Sequence, residues 1–101
     1  MRVSHQTRLV LQAFLDEPTA ETYGYLLSQA TGLKAGTLYP ILQRLDTEGW
    51  LHTRWDETDE RTGPRRRRRY YCLTPEGERN ARGAVKDDSA ALRQLMPGWG
   101  S

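Results

Sequence analysis

The clearest hydrophobic pattern in the chain lies between Gly36 and Leu51. Leu38, Ile41, Leu42 and Leu45 recur at spacings of three, one and three, which is one face of a 3.6-residue helix. Gln43, Arg44 and Thr47 fall on other faces, and the small Gly36 and Thr37 stand at the entrance. Gly49 is placed to end the helix at C′, where a left-handed backbone carries no Cβ penalty. Pro40 lacks an N–H and is tolerated only near a helix start, so the helix is expected to begin at Ala35–Thr37. Upstream, Ser4 or Thr7 caps a first helix whose apolar stripe is Leu9, Val10, Ala13 and Phe14. Asp16-Glu17-Pro18 closes it, because a residue before proline is pushed out of the α region. Thr22 reads as the N-cap of a second helix running to about Ala30, with Tyr23, Leu26, Leu27 and Ala30 spaced for one buried face. Thr31-Gly32 ends that helix, and the short turn Leu33-Lys34-Ala35 leads into the third. Two helices joined this way form a helix-turn-helix pattern.

Past Gly49 the period changes. Trp50 to Asp56 carries aromatic and β-branched residues over a short run, the signature of a strand. Residues 57–66 are polar and contain the turn signal Thr62-Gly63-Pro64, and Arg67 to Leu73 reads as the returning strand of a hairpin. Thr74-Pro75 is an N-cap followed by proline at N1 and opens a last helix. Its stripe of Ala81, Val85, Asp88, Leu92, Leu95 and Trp99 alternates by four and three, with Pro97-Gly98 ending the regular helix before Trp99. The expected fold is mainly α (α+β): a winged helix-turn-helix with a three-helix core, a two-stranded wing and a C-terminal helix. Its expected division is residues 1–74 for the winged domain and 75–101 for the last helix and tail.

Composition adjusts this picture in two places. At 101 residues, with 37% hydrophobic and 28% charged side chains, the chain makes one domain with a modest core, which a partner subunit would enlarge. The net charge of +2 conceals an uneven distribution. Residues 1–49 hold four basic and five acidic side chains, residues 50–101 eleven and eight, and Arg65 to Arg69 are consecutive. Cys72 is the one cysteine, so no intrachain disulfide forms, and His5 and His52 lack companions at metal-ligand spacing. The first residues contain no apolar leader segment and no run suits a membrane span, so a cytoplasmic protein is expected. No acid/base pair, activated nucleophile or phosphate loop is recognisable; the expectation is a non-enzyme without a cofactor.

The motifs then become specific. Thr37-Leu38-Tyr39-Pro40-Ile41-Leu42-Gln43-Arg44-Leu45, followed by Glu48-Gly49-Trp50-Leu51, is one block. Arg69-Tyr70-Tyr71-Cys72-Leu73-Thr74-Pro75-Glu76-Gly77 is a second, and Tyr23-Gly24 fits beside them. Together, from about Thr7 to Gly77, they resemble the PadR family of bacterial transcriptional regulators. The resemblance implies a regulator, a repressor by preference, that binds double-stranded DNA at a palindromic promoter site as a homodimer.

In that reading the third helix enters the major groove. Gln43 has the geometry to pair with adenine, and Arg44 with guanine or a phosphate. Lys34 and Thr37 stand where a helix N-terminus meets the DNA backbone. Tyr39 takes a phosphate by its family position; a half-buried aromatic is the alternative. From composition alone these residues read as an ordinary solvated face; the flanking architecture favours the DNA contact. Arg65, Arg66, Arg67 and Arg68 are expected to hold phosphates or a narrow minor groove, with some arginines paired to Asp56, Glu57, Asp59 and Glu60 across the hairpin. A solvated or aggregation-blocking edge is the plainer reading of that run. The last helix, through Ala81, Val85, Asp88, Leu92, Leu95 and Trp99, is the family's dimerisation element; packing on its own domain is the alternative. Small relatives bind flat aromatic effectors using a tryptophan of this helix. Here residues 78–96 contain no aromatic, and Ala81, Gly83, Ala84, Ala90 and Ala91 stand instead, so a small-molecule effector has little sequence support. From another class, a winged-helix adaptor could use the arginine hairpin to bind RNA or an acidic protein surface.

Overall fold

The computed structural model describes residues 3–56 and 68–95, with side-chain detail as far as Lys86. In chain order they form α1 (His5–Asp16), β1 (Thr22–Tyr23), α2 (Gly24–Thr31), α3 (Ala35–Thr47), β2 (Leu51–Asp56), β3 (Arg68–Leu73) and α4 (Pro75–Leu95). The strands form one antiparallel sheet in the order β1-β3-β2. This is the winged helix-turn-helix expected from the periodicity, with one strand more than the sequence pattern declared.

Ser4 caps α1, its Oγ accepting from the Thr7 amide at 3.2 Å. The buried side of α1 is Thr7, Val10, Leu11 and Phe14. The stripe expected from sequence was rotated by about one position, since Leu9 and Ala13 are only partly buried. Thr7 can be buried because its hydroxyl lies 3.0 Å from Ser4 Oγ, which removes the penalty on an unpaired polar group. Thr22 is not a cap. It pairs with Tyr71 as the first residue of β1, and Tyr23 precedes α2 without a side-chain capping bond. Of the expected α2 face only Leu27 is buried in the core; Leu26 is 44% exposed and Ala30 lies at the surface.

The third helix follows its pattern closely. Leu38, Ile41, Leu42 and Leu45 are all buried. Pro40 sits in the second turn and has no amide to donate to the Gly36 carbonyl, and Gly36 is exposed to solvent. At the other end the Gly49 amide donates to the Asp46 carbonyl and the Trp50 amide to the Leu45 carbonyl, both at 3.0 Å. This is a complete Schellman closure, with Gly49 at φ 80°. Thr74 then ties three elements together. Its amide donates to the Trp50 carbonyl at 3.0 Å, its hydroxyl donates to the Gly49 carbonyl at 2.8 Å, and the same oxygen caps α4 by accepting from the Gly77 amide at 2.9 Å. Gly77 fits there because a Cβ would overlap the Trp50 carbonyl.

The core joins α1, α2 and α3 to Leu51, Tyr71, Leu73 and Ala81. It therefore continues past residue 74 into the first turns of α4, and Val85 packs against its edge.

Candidate nucleic-acid interface

Burial of the leucine-rich stripe fixes the rotation of α3 and so decides which side chains face outward. Tyr39, Pro40, Gln43, Arg44 and Thr47 are exposed, as is Lys34 at the N-cap, while Thr37 is half-buried. Among the described residues, the side chains of Lys34, Gln43 and Arg44 engage no protein partner. The start of α3 has no side-chain cap, while Thr37 and Leu38 donate to the Lys34 carbonyl at 3.0 and 2.9 Å. Tyr39 is 49% exposed, with its hydroxyl end resting on Gly24, where any Cβ would overlap it. That is the half-packed aromatic the sequence allowed. Tyr25, at 65% exposure, stands out from the first turn of α2, a position the sequence reading passed over.

The wing presents its positive charge differently. Alternation sends Arg68, Tyr70 and Cys72 of β3 to the outer face of the sheet, and Arg69, Tyr71 and Leu73 to the inner face over the helices. On the outer face Arg54 grips Glu21 with two bonds, Nε at 2.6 Å and Nη2 at 2.9 Å. Its guanidinium also covers the Tyr70 ring at 4.5 Å. Hydrogen bonding to Arg54 holds the Glu21 carboxyl below the usual carboxylate range and raises the arginine correspondingly. Tyr23 meets Tyr70 edge-on at 5.8 Å, and Arg68 stacks over Tyr23 at 4.2 Å, opposite Asp56 in register. On the inner face Arg69 Nη2 reaches Asp46 Oδ2 at 3.1 Å and Thr53 Oγ1 at 3.3 Å. Arg54, Arg68 and Arg69 are thus all held by protein groups. Neither the Glu21–Arg54 nor the Asp46–Arg69 pairing is signalled by the sequence pattern. Arg65, Arg66 and Arg67, with Glu57, Asp59 and Glu60, lie outside the described residues.

In α4, Ala81 is completely buried inside its own domain, so the first member of the proposed dimer stripe has no surface left for a partner. Val85 is partly covered by the same core. The side chains of Asp88, Leu92 and Leu95, and Trp99 altogether, lie outside the described detail. Cys72 is half-buried on β3; burial, and secondarily the Glu21 carboxylate, pushes its thiol up, which keeps it protonated and weakly nucleophilic. Among the described residues no group of three His, Cys, Asp or Glu side chains could hold a metal, and no helix is long and apolar enough to cross a membrane.

A three-helix core, an exposed polar face on the third helix and a hairpin beside it define a winged helix-turn-helix architecture. The model of the transcriptional regulator PadR-like family matches residues 13–83, and the chain belongs to that family. Among solved structures it is similar to smu.1704 from Streptococcus mutans UA159, at 32% identity and a TM-score of 0.72 over 94% of this chain and 88% of that one. A PadR family transcriptional regulator from Eggerthella lenta DSM 2243 is 28% identical, with a TM-score of 0.70 over 86% of this chain and 77% of that one. Overoxidized AbfR, in a structure bound to DNA, shares the fold at 23% identity and a TM-score of 0.67, over 95% of this chain and 62% of that one. No curated protein matches the sequence. Family membership makes this a DNA-binding transcriptional regulator.

Proposed function

We propose that the protein is a homodimeric repressor that recognises a palindromic promoter site, with α3 in the major groove. One observation carries this reading: α3 buries one face completely while Lys34, Gln43 and Arg44 on the other have no protein partner among the described residues. A guanidinium and a carboxamide left open on a rigid helix are the groups that pair bidentately with guanine and adenine. The half-exposed Tyr39, together with Thr37 and the first amides of α3, serves phosphates. The structure of AbfR bound to DNA, in a protein of the same fold, is in keeping with this use of the scaffold. Arg65, Arg66 and Arg67 add the phosphate contacts of the wing, while the Tyr23 stacking of Arg68 gives that arginine a protein role beside any DNA contact.

The dimer contact falls to the remaining members of the α4 stripe, Asp88, Leu92, Leu95 and Trp99, with Val85 before them. Two copies so joined carry two α3 helices to half-sites about one DNA turn, roughly 34–36 Å, apart.

Selection of bound duplexes from a random pool tests the whole proposal. The expected product is a palindrome with a fixed half-site spacing. A pool that returns unrelated sequences, or RNA that competes better than any duplex, rejects it. Replacing Arg65, Arg66 and Arg67 together by alanine is expected to weaken binding to all duplexes. It should also flatten the salt slope by about 0.9 for each phosphate no longer neutralised.

A further inference from the structure

The hairpin is attached to the helices at its root and again partway out. At the root, Leu51 and Leu73 sit opposite each other in the core, followed by Tyr71 opposite Thr53. The next rung on the inner face is Trp55 opposite Arg69, and here apolar burial has ended, since Trp55 is 53% exposed. Arg69 supplies the tie at this rung. Its guanidinium lies 5.5 Å from the Tyr71 ring centre and 5.6 Å from that of Trp55, and it reaches Asp46 near the end of α3. Asp46 is seven residues, about two turns, beyond Tyr39, so both come from the sheet-facing side of α3. Arg69 and Tyr71, two apart on β3, share the inner face. Beyond the apolar core at the root, the Asp46–Arg69 pair therefore joins α3 to the inner face of β3.

The energetics of this pair argue for geometry over stability. Both side chains are about a third exposed, at 35% and 37%, where ion pairs contribute little. Arg69 Nε is buried without a hydrogen-bond partner, a further penalty accepted to aim Nη2 at Asp46. α3 and β2 are also joined through Gly49, whose Cα faces open space at φ 80°. Beside the core at the hairpin root and the pairing of β1 with β3, the Asp46–Arg69 contact ties β3 directly to α3, 23 residues away in sequence.

We propose that Arg69 is a positioning residue, withheld from DNA by Asp46, that fixes the angle of the wing to α3 so that both engage one duplex together. The proposal rests on the reading of α3 as the base-reading helix. Removing the acid tests it with a sign. On charge alone, Asp46→Asn would strengthen DNA binding; as loss of a brace, it weakens binding to the selected palindrome by about two- to fivefold per subunit. Binding to random duplex, which needs no fixed angle, does not weaken. Arg69→Met gives the same loss of preference with an unchanged salt slope, and the double variant is no worse than either single one.

Tighter binding by Asp46→Asn, or a salt slope reduced by about 0.9 in Arg69→Met, would make Arg69 a phosphate contact and overturn the proposal. Amide exchange of the protein alone gives a separate answer. The brace requires faster exchange along β3 in both variants, and unchanged exchange rejects it. If the wild-type protein prefers no duplex, the DNA-reading proposal fails, while the exchange result still decides whether the brace exists.

Discussion

The third helix and the wing root both carry positive charge on exposed surface, but in opposite conditions. On α3, Arg44 and Lys34 face solvent with no partner among the described residues. On the sheet, Arg54 is gripped by Glu21, Arg69 by Asp46, and Arg68 lies over Tyr23. A basic residue count treats these cations as equal, and the structure does not. An arginine that already holds a carboxylate has part of its charge offset and some of its N–H donors engaged, so the unpartnered cations are the more available ones. The same contrast appears within α3, whose two faces differ as sharply as the two regions do.

The largest expected effect tests that two-faced helix. Leu42 is fully buried, and Leu42→Ala should lower stability by about 2–5 kcal/mol through reduced burial and the cavity left behind. Its neighbours Gln43 and Arg44 should change stability by no more than about 0.5 kcal/mol when replaced by alanine. Urea denaturation of the three variants decides it. Equal losses at 42 and 44 would mean that the outward face has a structural task and is not reserved for a ligand.

Next comes Arg44→Ala in DNA binding. A bidentate base contact predicts a relaxed preference at one base position, by about 1–3 kcal/mol, with other positions unchanged. Competition between duplexes differing at single positions measures it. Uniform weakening would reduce Arg44 to a backbone contact and erase its distinction from the wing arginines.

The α3 half of this comparison was legible in the sequence, because everything it needs is local. The four apolar positions, Pro40 and Gly49 lie within fifteen residues, and each acts on its own turn of helix. The same holds for the Thr74-Pro75 cap of α4. The wing half was hidden because its partners are distant. Glu21 meets Arg54 across 33 residues and Asp46 meets Arg69 across 23, and no periodicity announces such pairs. The β1 strand was missed for a related reason: two residues have no period, and threonine before a helical stretch imitates an N-cap. In α1 two overlapping stripes satisfied helical spacing. The true one was passed over because it includes Thr7, whose burial depends on its bond to Ser4. In α4 the heptad-like stripe ran through Ala81 without marking that this residue belongs to the protomer's own core.

On the sheet's inner face, Tyr71 offers a smaller effect with a defined sign. Burial, above all, pushes its phenol above the ordinary value of 10.0; Tyr39 and Asp46 act in the same direction, and Arg69 opposes them. A raised acid of this kind contributes stability that is fully present below its ordinary value and is lost as pH rises through the folded-state value. Tyr71→Phe keeps the ring and cannot ionise. Its stability should therefore hold into alkaline solution where the wild type declines, as followed by urea midpoints on either side of pH 10.0. Parallel declines would mean that ionised Tyr71 is tolerated on that face.

The smallest expected effect lies on the outer face, at Glu21. Hydrogen bonding to Arg54 lowers the carboxyl below its ordinary 4.5, with the attraction of the same guanidinium helping and burial opposing. The sign is the reverse of that for Tyr71: a depressed carboxyl contributes stability present above its ordinary value and lost as pH falls through the folded-state value. Both partners are well exposed, at 52% and 42%, so solvent screens the pair and the gain is slight. Glu21→Gln should be a little less stable than the wild type at neutral pH and should converge with it as pH falls well below 4.5. A difference that persists in acid would have to come from something other than ionisation, such as packing of Glu21 beside β1. A difference absent at every pH would mean that the Tyr70 ring holds Arg54 as well without Glu21, so that the two hydrogen bonds add nothing to stability.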